Sequence, residues 1–215
     1  MKSVIFLFVP ALLLLQLAVF GQENWDLKKD KDGIKVYTRK SATLKFDDIR
    51  VETILNCTTS QLAAVLMDVN DHPQWAYKTM GTKMLKTASP SDIYYYTQVE
   101  CPWPFENRDL AVHMTISQNP ATKITTMEMR NANDLMPEQK DFVRIRYSAV
   151  TWVVSPINNK QVKVDYQISV DPSGSLPAWL LNMFITRGPY ESFMKLKERV
   201  VLPQYAGAKF GFIVE

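Results

Sequence analysis

The sequence predicts an α+β domain in which a curved antiparallel sheet wraps around a long C-terminal helix. Three observations predict it. Two runs, LAVHMTIS over 110–117 and QVKVDYQISV over 161–170, alternate between apolar and polar residues, the period-two pattern of strands with one buried face. Turn signals such as Asp32-Gly33 and Asn158-Asn159 separate runs of this kind, which favours hairpins. The stretch SLPAWLLNMFITRGPYESFMKLKERVVLP, over 175–203, sets Leu176, Trp179, Leu180, Met183 and Phe184 at helical spacing. A face so wide and aromatic must cover something apolar. A one-sided apolar sheet with helices gathered on that side is an α+β plan, and a strongly twisted sheet of this size curls.

Residues 1–21 stand apart from that plan. Lys2 precedes the apolar run VIFLFVPALLLLQLAVF, and Val19-Phe20-Gly21 approximates a small-x-small cleavage site before Gln22. The run is interrupted by Pro10 and Gln16 and is short beside the ~20 apolar residues of a membrane span. It reads as a secretory signal peptide, leaving one domain over 22–215 in an exported compartment, periplasmic or secreted. The formal charge of +3 becomes +2 without Lys2, 24 basic residues against 22 acidic. Basic and acidic residues interleave throughout, so nothing points to nucleic acid. Two cysteines, Cys57 and Cys101, and two histidines make no convincing zinc or nucleophilic cluster, and no cofactor is expected. Export permits a Cys57–Cys101 bridge without requiring one, and the oligomeric state stays open.

In chain order, QENWDLKKDK suggests a short helix anchored by Trp25, and IKVYTRK a strand after the Asp32-Gly33 turn. DDIRVETIL reads as a second strand with Ile49 and Val51 on one side. Thr58 and Gln61 have capping-box spacing, opening a helix that buries Leu62, Val65, Leu66 and Val69. DVNDHPQW ends it in a turn, where His72 reads as a solvated residue. Four or five further strands follow at hairpin-like spacing. In the central one Leu110, Val112, Met114 and Ile116 face inward and His113 outward. FVRIRYSAVTWVV reads as one strand with Val143, Ile145 and Tyr147 opposite Arg144, Arg146 and Ser148. Ser175 is a plausible N-cap for the final helix, and Gly188-Pro189 predicts a kink or two helices end to end.

Four stretches carry a resemblance: MDVNDHPQW over 67–75, PWPFENRDL over 102–110, DLMPEQKDFVR over 134–144 and SVDPSGSLPAWLLNMF over 169–184. In this order and at these intervals the chain resembles the START (StAR-related lipid-transfer) domain of the helix-grip superfamily, over roughly Trp25 to Tyr205. The resemblance implies a START-like helix-grip fold whose sheet and last helix enclose a tunnel for one lipid or other hydrophobic small molecule. The tunnel wall would include Val112 and Met114, Ile145 and Tyr147, and Val164, Tyr166 and Ile168. The lid would include Leu135 and Met136 of the loop and Trp179, Leu180, Met183 and Phe184 of the helix. Arg108-Asp109 matches the family's Arg-Asp pair and reads as structural.

Some sterol-binding relatives hold an acid and an arginine inside the tunnel. Met114 stands at that arginine's position here and the acid's lies near Val99, so sterol specificity is not inherited; Tyr147, Tyr166 and Thr97 are neutral polar alternatives. The implied activity is binding, and by extension transport, of a hydrophobic molecule with transient membrane contact. The alternative is a helix-grip enzyme of the cyclase or hydratase kind. Against it, the inward faces assigned above contain no His, Lys, Asp or Glu.

Overall fold

The computed structural model describes residues 24–215; the signal peptide and cleavage site read from sequence over 1–21 lie outside them. Ten strands form one curved sheet: β1 Asp26–Lys31, β2 Ile34–Lys40, β3 Asp47–Leu55, β4 Thr79–Ser89, β5 Asp92–Val99, β6 Asn107–Gln118, β7 Thr125–Asn131, β8 Phe142–Arg144, β9 Tyr147–Asn158 and β10 Gln161–Asp171. The order across the sheet is β1-β2-β3-β10-β9-β7-β6-β5-β4, with β8 pairing parallel to the start of β6 and every other pair antiparallel. Four helices lie against it: α1 Thr59–Met67, α2 His72–Trp75, α3 Ala178–Asn182 and α4 Gly188–Arg199. This is the helix-grip arrangement, a curved antiparallel sheet holding a C-terminal helix.

The segment read as a helix around Trp25 is instead β1. Its charged residues offer no apolar helical stripe. Asp32 and Gly33 both take positive φ (54° and 68°), and that turn folds β1 back onto β2. Its exposed lysines suit an edge, where charge discourages further pairing. Helix α1 starts as its sequence predicts. Thr58 Oγ1 accepts from the Gln61 amide (3.1 Å), and Gln61 Oε1 accepts from the Thr58 amide (2.9 Å). The Glu215 carboxylate takes two further first-turn amides, Thr59 (3.1 Å) and Ser60 (2.7 Å), donors that have no partner within the helix.

One end of the sheet is filled. Val51, Val154 and Val164 meet Leu62 and Leu66 of α1 and Leu196 of α4 in a closed apolar core. Lys197 and Arg199 fall in the last turn of α4, where the helix dipole favours cations, and Arg199 Nε also donates to Asp71 (2.8 Å).

Two irregularities shape the other end. The run read as one strand from Phe142 breaks after Arg144. The Ile145 amide donates to Asp109 O (2.9 Å), and Ile145 O accepts from the side-chain amides of Asn131 and Asn133 (both 2.9 Å). The break shifts the alternation, so Ser148, Val150 and Trp152 face inward while Tyr147 is exposed. The final helix is also interrupted. Met183–Arg187 forms a π-helical turn between α3 and α4, and the helix begins after Pro177 with no side-chain cap from Ser175. Gly188 permits a close crossing there: a Cβ would lie 3.0 Å from the Tyr77 ring.

Candidate functional site: an apolar cavity under the last helix

Between the concave face of the sheet and the α3–π segment lies a cavity of about 340 Å³, within the usual range of small-molecule sites. Its position follows from strand register. On β10, Val164 is packed solid, whereas Tyr166, Ile168 and Val170 face open space; on β6, Met114 is packed and Val112, Leu110 and Arg108 are on the wall. Tyr166 pairs with Trp152, and Val112 pairs with Tyr95, so the row through these residues is the cavity floor. At the opposite end, away from the packed core, the wall is formed by Phe46, Arg108, Pro172 and Leu176, and this end is called the mouth. Leu181, Phe184 and Ile185 cover it from the helical side, and α2 contributes His72 and Trp75.

Of the residues predicted for wall and lid, Val112, Ile145, Tyr166, Ile168 and Phe184 line the cavity, as do Thr97 and Val99. The rest do not. Met114 and Val164 lie one step too far along their strands, where α1 and α4 fill the space. Tyr147 points outward because of the break after Arg144. Leu180 is buried away from the cavity, and Trp179 and Met183 are turned off it. The inward face runs instead through Leu181, Phe184, Ile185 and Gly188, a stripe of the same helical spacing turned by about one residue. Leu135 is exposed and Met136 stays off the wall, because Arg144 donates to the carbonyls of Met136 and Pro137 (both 2.9 Å) and fixes that loop outside.

Arg108 and Asp109 are neighbours that do not pair with each other, since adjacent strand residues point to opposite faces. Asp109 accepts from Arg144 Nε (2.8 Å) and Nη2 (3.0 Å) and from Tyr96 Oη (2.7 Å). Burial and that bond push the Tyr96 phenol up to about 12. Arg144, placed on the solvent side from sequence, is therefore a buried partner. Arg108 is also buried, and donates to the carbonyls of Ser173 (3.2 Å), Pro172 (3.4 Å) and Glu106. It ties the loops on either side of the mouth.

His72 is the other correction. It is 6% exposed, not solvated, and lies on the cavity wall with its Nε2 donating to Leu66 O (2.8 Å). Burial lowers its pKa and outweighs the carbonyl bond and the nearby Asp68 and Asp71; the ring stays neutral. It packs edge-on against Trp75 (5.2 Å between centroids) and Tyr95 (5.3 Å). Trp75 and Tyr95 were missed as well, although Ile93, Tyr95, Thr97 and Val99 share one alternating face that could have found Tyr95. His113 does lie on the outer face, stacked on Tyr94 and bonded to Asp92 (2.8 Å). Both cysteines are free and buried, and among the described residues no cluster of His, Cys, Asp or Glu could hold a metal ion.

An apolar hollow between a curved antiparallel sheet and the helices packed on its concave face defines a helix-grip cavity protein. The START domain profile matches residues 11–203, and the chain belongs to the START domain family. It is 29% identical to an uncharacterized protein of Pseudomonas aeruginosa, over 85% of this chain and 93% of that one. It is 23% identical to the phosphatidylcholine transfer protein of Rattus norvegicus, over 84% of this chain and 85% of the relative. The crystal structure of a STAR-related lipid transfer protein fragment from Xanthomonas axonopodis superposes with a TM-score of 0.75 at 29% identity, covering 83% of this chain and 99% of that one.

Proposed function

We propose that this protein binds one lipid or other hydrophobic small molecule in the cavity beneath the last helix and carries it outside the cytoplasm, without chemical change. The observation that carries the reading is the cavity itself: an apolar space of about 340 Å³ in a START domain. Each methylene moved from water into such a space contributes roughly 0.8 kcal/mol, so ten carbons supply about 8 kcal/mol before the cost of ordering guest and lid. The related transfer proteins support the lipid class.

Exchange requires the cover to move, and exposed aromatic rings adjoin the wall: Trp103 lies two residues beyond Cys101, and Trp179 sits between Leu176 and Leu181. Trp103 is 91% exposed and Trp179 56%, with Phe105 packed against Trp179 (6.1 Å between centroids). Amphipathic aromatic rings of this kind favour the bilayer–water boundary. Transient contact through these rings would bring the cavity to a donor or acceptor bilayer.

The test is organic extraction of the purified mature protein with mass spectrometry, followed by uptake of a fluorescent lipid. A co-purified lipid recovered unchanged after incubation is expected. Phe184→Asp should weaken uptake, and Trp103→Ala should slow transfer between vesicles while leaving equilibrium loading intact. Turnover of the extracted molecule would replace carriage with catalysis, and wild-type uptake by Phe184→Asp would remove the cavity from the account.

A further inference from the structure

The floor of the cavity holds more hydrogen-bond donors than an apolar guest could use. Among the described residues the Tyr166 hydroxyl has no hydrogen-bond partner, although the side chain is half-buried on the cavity wall. The Tyr95 hydroxyl reaches only the thioether of Met129 (3.8 Å), a weak acceptor. The indole Nε1 groups of Trp75 and Trp152, on the same stretch of wall, are buried without an acceptor. These groups are neighbours: Trp152 packs on Tyr166 at 4.8 Å and Tyr95 on His72 at 5.3 Å.

Every one of these groups is neutral. Burial pushes both phenols up, far from ionisation, and His72 is uncharged. With Nε2–H donating to Leu66 O, the other ring nitrogen of His72 holds a lone pair. The charged members of the wall lie elsewhere. Arg108 and Asp47 are at the mouth, with Asp47 bonded to Lys40 (2.8 Å), and Arg130 is bonded to Glu128 (3.0 Å). A carboxylate or phosphate at the floor would find no cation, and an ammonium no anion; burying either uncompensated is prohibitive. A plain hydrocarbon end would leave the phenols unmatched.

We infer that the guest enters leading with a neutral oxygen, a carbonyl or hydroxyl on an otherwise apolar chain or ring system, which accepts hydrogen bonds from the Tyr95 and Tyr166 hydroxyls. This rests on the carrier reading above. It assigns the floor to the recognised end and leaves the mouth to whatever apolar or charged portion follows. A guest hydroxyl could in addition donate to His72.

The experiment uses the whole mature protein with two guests of equal length, heptadecane and 2-heptadecanone carrying ¹³C at its carbonyl. Both displace a neutral fluorescent probe, N-phenyl-1-naphthylamine. The ketone should bind more tightly than the alkane, and its isotope-edited infrared carbonyl band should lie below its position in hexane. Tyr95→Phe and Tyr166→Phe should each weaken ketone binding relative to alkane binding in the same variant about three- to tenfold, and move the band back toward the hexane value. A hexane-like band for the bound ketone, or equal affinity for both guests, would overturn the inference while leaving the carrier reading standing. Failure of both guests to displace the probe would remove the carrier reading and the inference with it. The band position and the affinity ratio are read on the wild type and do not depend on the variants folding.

Discussion

The two ends of the same strands are built differently. At one end Val164, Val51, Val154 and Met114 pack without space against α1 and α4. One residue pair further along, Tyr166, Ile168, Val150 and Val112 face a hollow. Both ends show the same apolar alternation, so the difference lies in the cover and the frame. The regular helix α4 sends Leu196 into the sheet, followed by Val200 at its C-cap, whereas the π turn stands off from it. Packing holds the filled end together. Polar struts hold the open end: Asp109 with Arg144 and Tyr96, and Arg108 with the carbonyls around the mouth.

The sharpest way to break this contrast is at a strut. Asp109→Ala leaves Arg144 buried and unpaired, and should cost about 3–5 kcal/mol in denaturant unfolding; a cost under 1 kcal/mol would mean that the frame is ornamental. Next comes a matched truncation. Met114→Ala at the filled end should cost about 2–5 kcal/mol, because it opens a cavity in close packing. Ile168→Ala only enlarges an existing space and should cost about 1–2 kcal/mol, mostly lost burial. Equal costs would erase the distinction between the ends.

A guest should act on one end only. At a hundredfold excess over its dissociation constant it adds about 2.7 kcal/mol. Amide exchange should slow across 176–187 and change little in α1. Uniform protection would show that the whole fold tightens together. The smallest effect concerns His72. Its pKa is lowered on folding, so below the ordinary histidine value of about 6.5 the unfolded chain takes up a proton that the native chain refuses. Stability should therefore fall as pH drops below that value, and His72→Gln should reduce the difference in unfolding midpoint between pH 7.5 and pH 5.5. An unchanged difference would place the acid sensitivity elsewhere.

Much of the sheet was legible because alternation reports burial directly. The inward rows of β3, β6 and β10 and the α1 capping box stand where their patterns put them. What sequence left unread has physical causes. Alternation states that Met114 and Val112 are both inward, but not that a helix reaches one and misses the other. The 3.6-residue period fits two adjacent stripes of this helix, one through Trp179 and Met183 and one through Leu181 and Ile185, and does not say which of them meets the sheet. Arg144 and His72 looked solvent-facing because their partners, Asp109 and the Leu66 carbonyl, are remote or lie in the backbone. The edge strand β1 has no buried face to give it a pattern at all.

The distribution of tryptophan has a practical side. Of the five in the chain, Trp75 and Trp152 are enclosed on the cavity wall, while Trp103 and Trp179 stand in water, in segments adjoining the wall residues Cys101 and Leu181. Light emitted by the first two is shielded from a dissolved quencher such as acrylamide, and emission from the exposed pair is not. Unlabelled protein thus carries two separate optical gauges, one for occupancy of the interior and one for contact at the exposed segments.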